Sequence, residues 1–201
     1  MVFIFKSFLM VTKSNKNTKR VIKPWKIVRS HYVLSDKWIK VRADECETGD
    51  GTRIYPYYVW EGNNWVDLVV VNNEGQVLIT EQYRHGAGKV GYEIPCGTMD
   101  PEDKNPLETA KRELLEETGY SGDFYLVSEV SPNTARNSNK VIVFLVTNPV
   151  KVLQPQEDPT EVINCKFIDE DKVWKMIDQG KFQQALHISS LVLALRKNKA
   201  L

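Results

Sequence analysis

The run Arg112-Glu113-Leu114-Leu115-Glu116-Glu117-Thr118-Gly119 constrains this chain more than any other segment. Read as a helix, it places Glu113, Glu116 and Glu117 at i, i+3 and i+4, within an arc of roughly 100°. Leu107, Ala110, Leu114 and Thr118 form the neighbouring stripe, which the pattern turns inward. One helix must therefore lie with one flank on a core and the adjacent flank where clustered negative charge is tolerated. Carboxylates held this close repel one another, and hard divalent cations that prefer oxygen ligands, Mg²⁺ or Mn²⁺, relieve that repulsion. A solvated charged face is the other reading of the same three residues.

The flanks bear on that choice. Glu93-Ile94-Pro95-Cys96-Gly97 reads as a strand end turning on a proline and a glycine. Pro106 opens the helix where its missing N–H costs nothing, and Gly119 closes it. Strand, glycine loop, carboxylate helix and terminal glycine together make a layout suited to phosphate and metal.

The rest of the chain is rich in strands. Runs over 25–33, 38–47 and 53–60 are aromatic and β-branched, with Gly49-Asp50-Gly51 as a hairpin turn between the last two. Runs over 65–71 and 76–83 are expected to form a second hairpin around Asn72-Asn73-Glu74-Gly75. Strands are expected near 123–130, 140–146 and 162–168. Two helices finish the chain, one over 169–179 with Asp169 as N-cap and Gly180 as stop, the other over 184–197. This order predicts an α/β class, an α/β/α sandwich around a mixed β-sheet, preceded by an N-terminal antiparallel β-sheet.

Composition excludes several classes. A length of 201 residues, 42% hydrophobic and 26% charged, suits one catalytic domain with short extensions. The expected division is a flexible extension over 1–22, N-terminal antiparallel strands over 23–60 and the main domain over 61–201. A net charge of +1 gives no global attraction for nucleic acid or an anionic membrane. Residues 1–20 carry a short apolar start broken by Lys6 and a basic run. No stretch there reaches the ~20 apolar residues of a membrane span, and Met10 is an alternative first residue to Met1. Cys46, Cys96 and Cys165 are scattered, as expected of reduced thiols in a cytoplasm.

Gly97 through Tyr120 resembles the signature box of the Nudix hydrolases, G-x5-E-x7-R-E-U-x-E-E-x-G-U, where U is bulky and apolar. Arg112, Glu113, Leu114, Glu116, Glu117, Gly119 and Tyr120 match the second half at every fixed position. The first half departs from it: Gly97 lies one residue farther from Arg112 than the family spacing, and Lys104 stands where counting back from Arg112 expects Glu. In the family that Glu braces the loop, a task open here to Asp103 or Glu102, unless Arg112 pairs with Glu108. Beyond the box, the run from Leu78 to Arg84, the Glu93–Gly97 turn and Gln179-Gly180-Lys181 before the last helix are similar to the ADP-ribose pyrophosphatase branch.

That resemblance implies Mg²⁺-dependent cleavage of a nucleoside diphosphate sugar, with ADP-ribose giving AMP and ribose 5-phosphate. GDP-mannose and related compounds are alternatives, as is a non-catalytic sensor of ADP-ribose-like ligands. Glu113, Glu116, Glu117 and the backbone carbonyl of Cys96 would hold two or three ions. Arg84 is a candidate diphosphate clamp, Arg136 in the loop over 131–137 a ligand for the sugar end, and Glu93 a carboxylate that joins the metal shell or substrate side or braces the loop. Gly97, Arg112 and Gly119 are structural. The catalytic base is open between Glu161, Glu157 and Glu113. Trp60, Trp65 and Tyr83 are stacking candidates or core, and His31, His85 and His187 are expected to be structural or solvent-facing. The branch also implies a homodimer built through the N-terminal strands.

Overall fold

A computed structural model describes residues 21–37, 39–100, 102–155 and 162–200. Three strands, β1 (Lys26–Ser35), β2 (Lys40–Glu47) and β3 (Arg53–Glu61), form an antiparallel sheet in the order β1-β2-β3, turned at Gly49-Asp50-Gly51 as expected. Gly51 sits at φ 88° and Thr48 N–H donates to Thr52 O across the turn, a conformation that suits glycine.

The main body contains β4 (Trp65–Val70), β5 (Gln76–Arg84), β6 (Lys89–Glu93), β7 (Cys96–Thr98), helix α1 (Pro106–Thr118), β8 (Tyr120–Val130), β9 (Val141–Lys151), β10 (Asn164–Asp169), α2 (Glu170–Asp178) and α3 (Ala185–Asn198). Two sheets result, ordered β7-β4-β9-β8 and β10-β5-β6. The first is mixed, since β4 runs parallel to β9 and antiparallel to β7.

Alternation along β4, β5 and β9 sends side chains to opposite faces. Val66, Leu68, Val70, Leu78, Ile142, Phe144 and Val146 meet Ala110 and Leu114 of α1. Val69, Val77, Ile79, Val143 and Leu145 meet Val173 of α2 and Leu191, Ala194 and Leu195 of α3. This is the α/β/α sandwich. Burial of a side chain such as Leu114, with no exposed surface, contributes roughly 1.5–3 kcal/mol.

Several elements differ from expectation. Segments 65–71 and 76–83 are not a paired hairpin: beyond a single Val71–Val77 bridge, β4 turns to β9 and β7 while β5 turns to β10 and β6. Long-range partners outcompete the local one, and the chain crosses between sheets at a turn where Asn72 Oδ1 accepts from Glu74 and Gln76 N–H. The strand whose end was read at Glu93 is β6, whereas β7, three residues over Cys96–Thr98 where a turn was expected to continue, was not anticipated. β8 begins at Tyr120, directly after the helix stop, and β9 runs through Pro149 to Lys151. Leu107, expected inward, is 37% exposed, and Thr109 takes the buried position beside Ala110. Asp169 precedes α2 without a capping hydrogen bond, its carboxylate instead engaging Gln76 and Lys172. Among the described residues no helix is long and apolar enough to cross a membrane.

Candidate active site

Helix α1 is set firmly at both ends. The side chain of Asn105 accepts from Leu107 and Glu108 N–H, Pro106 occupies the first turn, and Gly119 at φ 66° returns its N–H to Leu115 O. The buried stripe of Ala110 and Leu114 fixes the roll of the helix against β4 and β9. That roll aims Glu113 and Glu117 at β7. A Cβ on Gly97 would overlap the Glu113 carboxyl group, so glycine is the residue that lets the helix carboxylate lie against the strand. Glu117, almost fully buried, accepts from Cys96 N–H at 3.2 Å.

Arg112 is the hub of the loop before the helix. Its guanidinium meets Asp103 at 3.0 Å, Glu113 at 2.9 Å, and Asp100 and Glu116 at 3.3 Å. Asp103 also accepts from Asp100 N–H and the Thr109 hydroxyl, and these three donors hold its pKa below the usual carboxylate range. Of the three braces the sequence allowed, Asp103 is therefore the one that pairs with Arg112; Glu108 accepts from Lys104 N–H instead. Counted forward from Gly97, Asp103 stands where the family glutamate stands. The extra residue lies between the brace and Arg112, which is why counting back from Arg112 fell on Lys104.

A cleft of about 760 Å³ opens in front of these groups, lined among others by Trp65, Arg84, Glu93, Glu113, Glu117 and His187. That volume falls within the ~300–1,000 Å³ usual for small-molecule sites. Arg84 and Glu93, both expected on the substrate side, pair with each other: Arg84 Nε and Nη2 donate to the Glu93 carboxylate at 2.8–3.1 Å, and Gln82 Nε2 adds a bond at 3.3 Å. Burial works against the Arg84 charge, but the Glu93 hydrogen bonds outweigh it and raise the pKa. The guanidinium keeps 42% of its side chain exposed at the cleft while Glu93 aims it.

Behind the cleft lies a buried polar cluster. Asp67, with no exposed surface, accepts from Ser190 Oγ at 2.7 Å and Trp65 Nε1 at 3.2 Å. His187 Nε2 stands 3.6 Å from Asp67 Oδ1, and its Nδ1 stands 4.0 Å from Glu93 Oε2. Burial raises the pKa of Asp67 and lowers that of His187, each partly offset by the other. His187, expected to be structural or solvent-facing, is thus 3% exposed at the back of the cleft. Asp67 was not anticipated at all: a lone Asp in an apolar strand has no local signature, and its partners come from α3.

Glu113 carries the clearest electrostatic signature. Burial pushes its pKa up to about 7 despite Arg112, with Glu116 and Asp100 adding to the rise. Glu113 and Glu116 share Arg112 Nη1, and Glu117 lies on Cys96 N–H. The three carboxylates of α1 are hard oxygen donors of the kind that Mg²⁺ or Mn²⁺ prefers.

The remaining expected residues are placed as follows. Arg136 is absent from the residues lining the cleft; its guanidinium donates to Tyr58 O and stacks over Tyr57, tying the loop over 131–137 to β3. Trp65 lines the cleft, whereas Trp60 lies on β3 and Tyr83 is 56% exposed. Glu157 and Glu161 lie outside the described residues, as does the N-terminal extension apart from Val21 and Ile22.

A glycine-seated carboxylate helix in an α/β/α sandwich, braced by an arginine hub and opening on a cleft, is the arrangement of a class of hydrolases. The chain matches the Nudix domain over residues 64–188 and the nucleoside diphosphate sugar hydrolase N-terminal domain over residues 25–60. It belongs to the Nudix hydrolase family. Among similar proteins, an ADP-ribose pyrophosphatase of Bacillus subtilis is 28% identical over 80% of this chain and 86% of its own length. An ADP-ribose pyrophosphatase of Mycobacterium tuberculosis is 33% identical over 45% of this chain and 44% of its own. A methanol dehydrogenase activator of Bacillus methanolicus is 32% identical over 47% and 50%. The match thus spans about half the length or less of these last two relatives. A crystal structure of an ADP compounds hydrolase superposes with a TM-score of 0.76 at 19% identity, covering 90% of this chain and 97% of that one, which shows the shared fold.

Proposed function

We propose that the protein hydrolyses the pyrophosphate bond of a nucleoside diphosphate sugar, with ADP-ribose as substrate and AMP and ribose 5-phosphate as products. The observation that carries this reading is the convergence of Glu113, Glu117 and Arg84 on one cleft. The match of residues 25–60 to a nucleoside diphosphate sugar hydrolase domain and the names of two pyrophosphatase relatives support the substrate class.

Glu113, Glu116, Glu117 and the Cys96 carbonyl would hold two or three Mg²⁺ ions, with Mn²⁺ as a substitute. When bound, the ions neutralise the diphosphate and acidify the attacking water. Arg84, pointed by Glu93, binds the diphosphate oxygens, and Arg112 keeps the helix carboxylates in place. Glu161, Glu157 and Glu113 are the candidates for the base that takes the proton of the water, and of them Glu113 lines the cleft. Arg136 reaches the sugar end only if a partner's cleft lies beside it. That fits a homodimer formed through β1, whose ten residues are all exposed and include Ile27, Val28, Tyr32, Val33 and Leu34. The three free thiols accord with a cytoplasmic protein.

The test is phosphomonoester release from a panel of ADP-ribose, GDP-mannose, NADH and diadenosine polyphosphates with Mg²⁺. ADP-ribose is expected to have the highest kcat/KM. Preference for GDP-mannose would move the substrate within the class. Tight ADP-ribose binding without turnover of any member would make the protein a sensor.

A further inference from the structure

Asp67 on β4 and Cys96 on β7 are directly opposed in an antiparallel pair, so their side chains share one face of the sheet. That face looks toward α3, where His187 and Ser190 lie one turn apart and both reach Asp67. Gly97, the next residue of β7, faces the other way, toward Glu113. The strand therefore separates two chemistries: oxygen donors on the α1 side, and a thiol, an imidazole and a carboxylate on the α3 side.

One ligand atom from each of Asp67, Cys96 and His187 lies within 4.8 Å of the others. A tetrahedral ion bound by N, O and S at about 2.0–2.3 Å separates its ligands by roughly 3.3–3.8 Å, so a modest inward turn of these side chains completes the geometry. His187 turns Nε2 toward Asp67 Oδ1 at 3.6 Å, a distance too long for a hydrogen bond, while Nδ1, on the Glu93 side at 4.0 Å, is buried without a hydrogen-bond partner among the described residues. Arg84 Nη2 donates to the Cys96 sulfur at 3.7 Å and to Glu93 at 2.8 Å. Cys96 and His187 line the cleft, which gives an ion its way in.

We propose that Asp67, Cys96 and His187 form a binding site for a soft or borderline divalent cation of the Zn²⁺ class, distinct from the carboxylate site of α1. Asp67 keeps its bonds from Ser190 and Trp65, which orient it as a ligand. Coordination forms a metal–sulfur bond and releases the thiol proton to water in the cleft, while the neutral imidazole binds through its lone pair, so affinity rises with pH. The ion sits beside Arg84 and Glu93. The metal site does not depend on the reading of the cleft given above.

The experiment uses the full chain, stripped with chelator, titrated with Co²⁺ and followed by absorption, with Zn²⁺ affinity measured by competition against a chromophoric chelator. One equivalent of Co²⁺ is expected to give thiolate-to-cobalt charge-transfer absorption, displaced by Zn²⁺. Cys96→Ser should abolish that band, and His187→Gln should weaken Zn²⁺ binding by about tenfold or more. Glu116→Gln should leave both intact, with circular dichroism confirming that each variant is folded. The proposal is overturned if no thiolate band develops. It is equally overturned if Zn²⁺ affinity is unchanged in folded His187→Gln but lost in Glu116→Gln. Failure of ADP-ribose turnover with the band present would strike the enzymatic reading alone.

Discussion

At the scale of single residues, the site is governed by how closely charge is packed. Glu117→Gln removes a donor already fixed by Cys96 N–H, and turnover is expected to fall by roughly 100-fold or more with the fold retained, checked by steady-state kinetics and circular dichroism. Unchanged activity would mean that the carboxylate holds no ion. Glu113 makes the metal-free protein sensitive to pH. Its pKa rises from 4.5 to about 7 on folding, so the protonated form favours the native state. Its contribution is full below about 4.5 and is lost as pH rises through about 7. Thermal melts in chelator should therefore decline across that window, and Mg²⁺, which binds the ionised form, should flatten the decline. Asp103 acts in the opposite sense: its lowered pKa gives stability above the ordinary carboxylate range that is lost in stronger acid. Asp103→Asn is expected to weaken Mg²⁺ activation while leaving Arg84 and substrate affinity little changed, a difference that a metal titration at saturating substrate can read.

At the scale of elements, α1 was legible because its information is local: carboxylate spacing, proline start and glycine stop all lie within one short run. Gly119 holds a left-handed φ of 66°, and a Cβ there would also overlap Leu153 O, so Gly119→Ala is expected to cost more than ~2 kcal/mol. In a chain of this size that lowers Tm by roughly 4–8 °C, measurable by calorimetry. The N-terminal sheet was legible for the same reason, with alternating residues and a glycine turn. The parting of β4 from β5 was not, because it is decided by β9 and β10, strands far along the chain that no local pattern at Asn72–Gly75 announces. The Asp67 and His187 cluster was hidden likewise, since β4 and α3 meet only in the finished fold. The brace was half visible: forward spacing from Gly97 gives Asp103, backward spacing from Arg112 gives Lys104, and only the fold shows which side of the brace took the insertion.

At the scale of the molecule, two attachments matter. The N-terminal sheet is held to the main body by Trp60 N–H to Arg136 O at 2.7 Å, Ser138 N–H to Trp60 O at 3.1 Å and the Tyr57 hydroxyl to Ala135 O at 2.5 Å. Its outer strand is left with exposed apolar side chains, so light scattering is expected to give twice the chain mass, and Val33→Lys with Ile27→Lys to shift the protein toward monomer; a monomeric wild type would refute the dimer. The second attachment is the turn at Asn72–Gly75, where the two main sheets touch before diverging. Trp65 at the start of β4 and Arg84 at the end of β5 lie at the opposite end, on the cleft. The two sheets are joined a second time near that end, where Ile94 and Pro95 link β6 to β7 and Leu68 N–H donates to Pro95 O at 2.9 Å. A cleft wall fastened at both ends is set by the backbone before any ligand enters it.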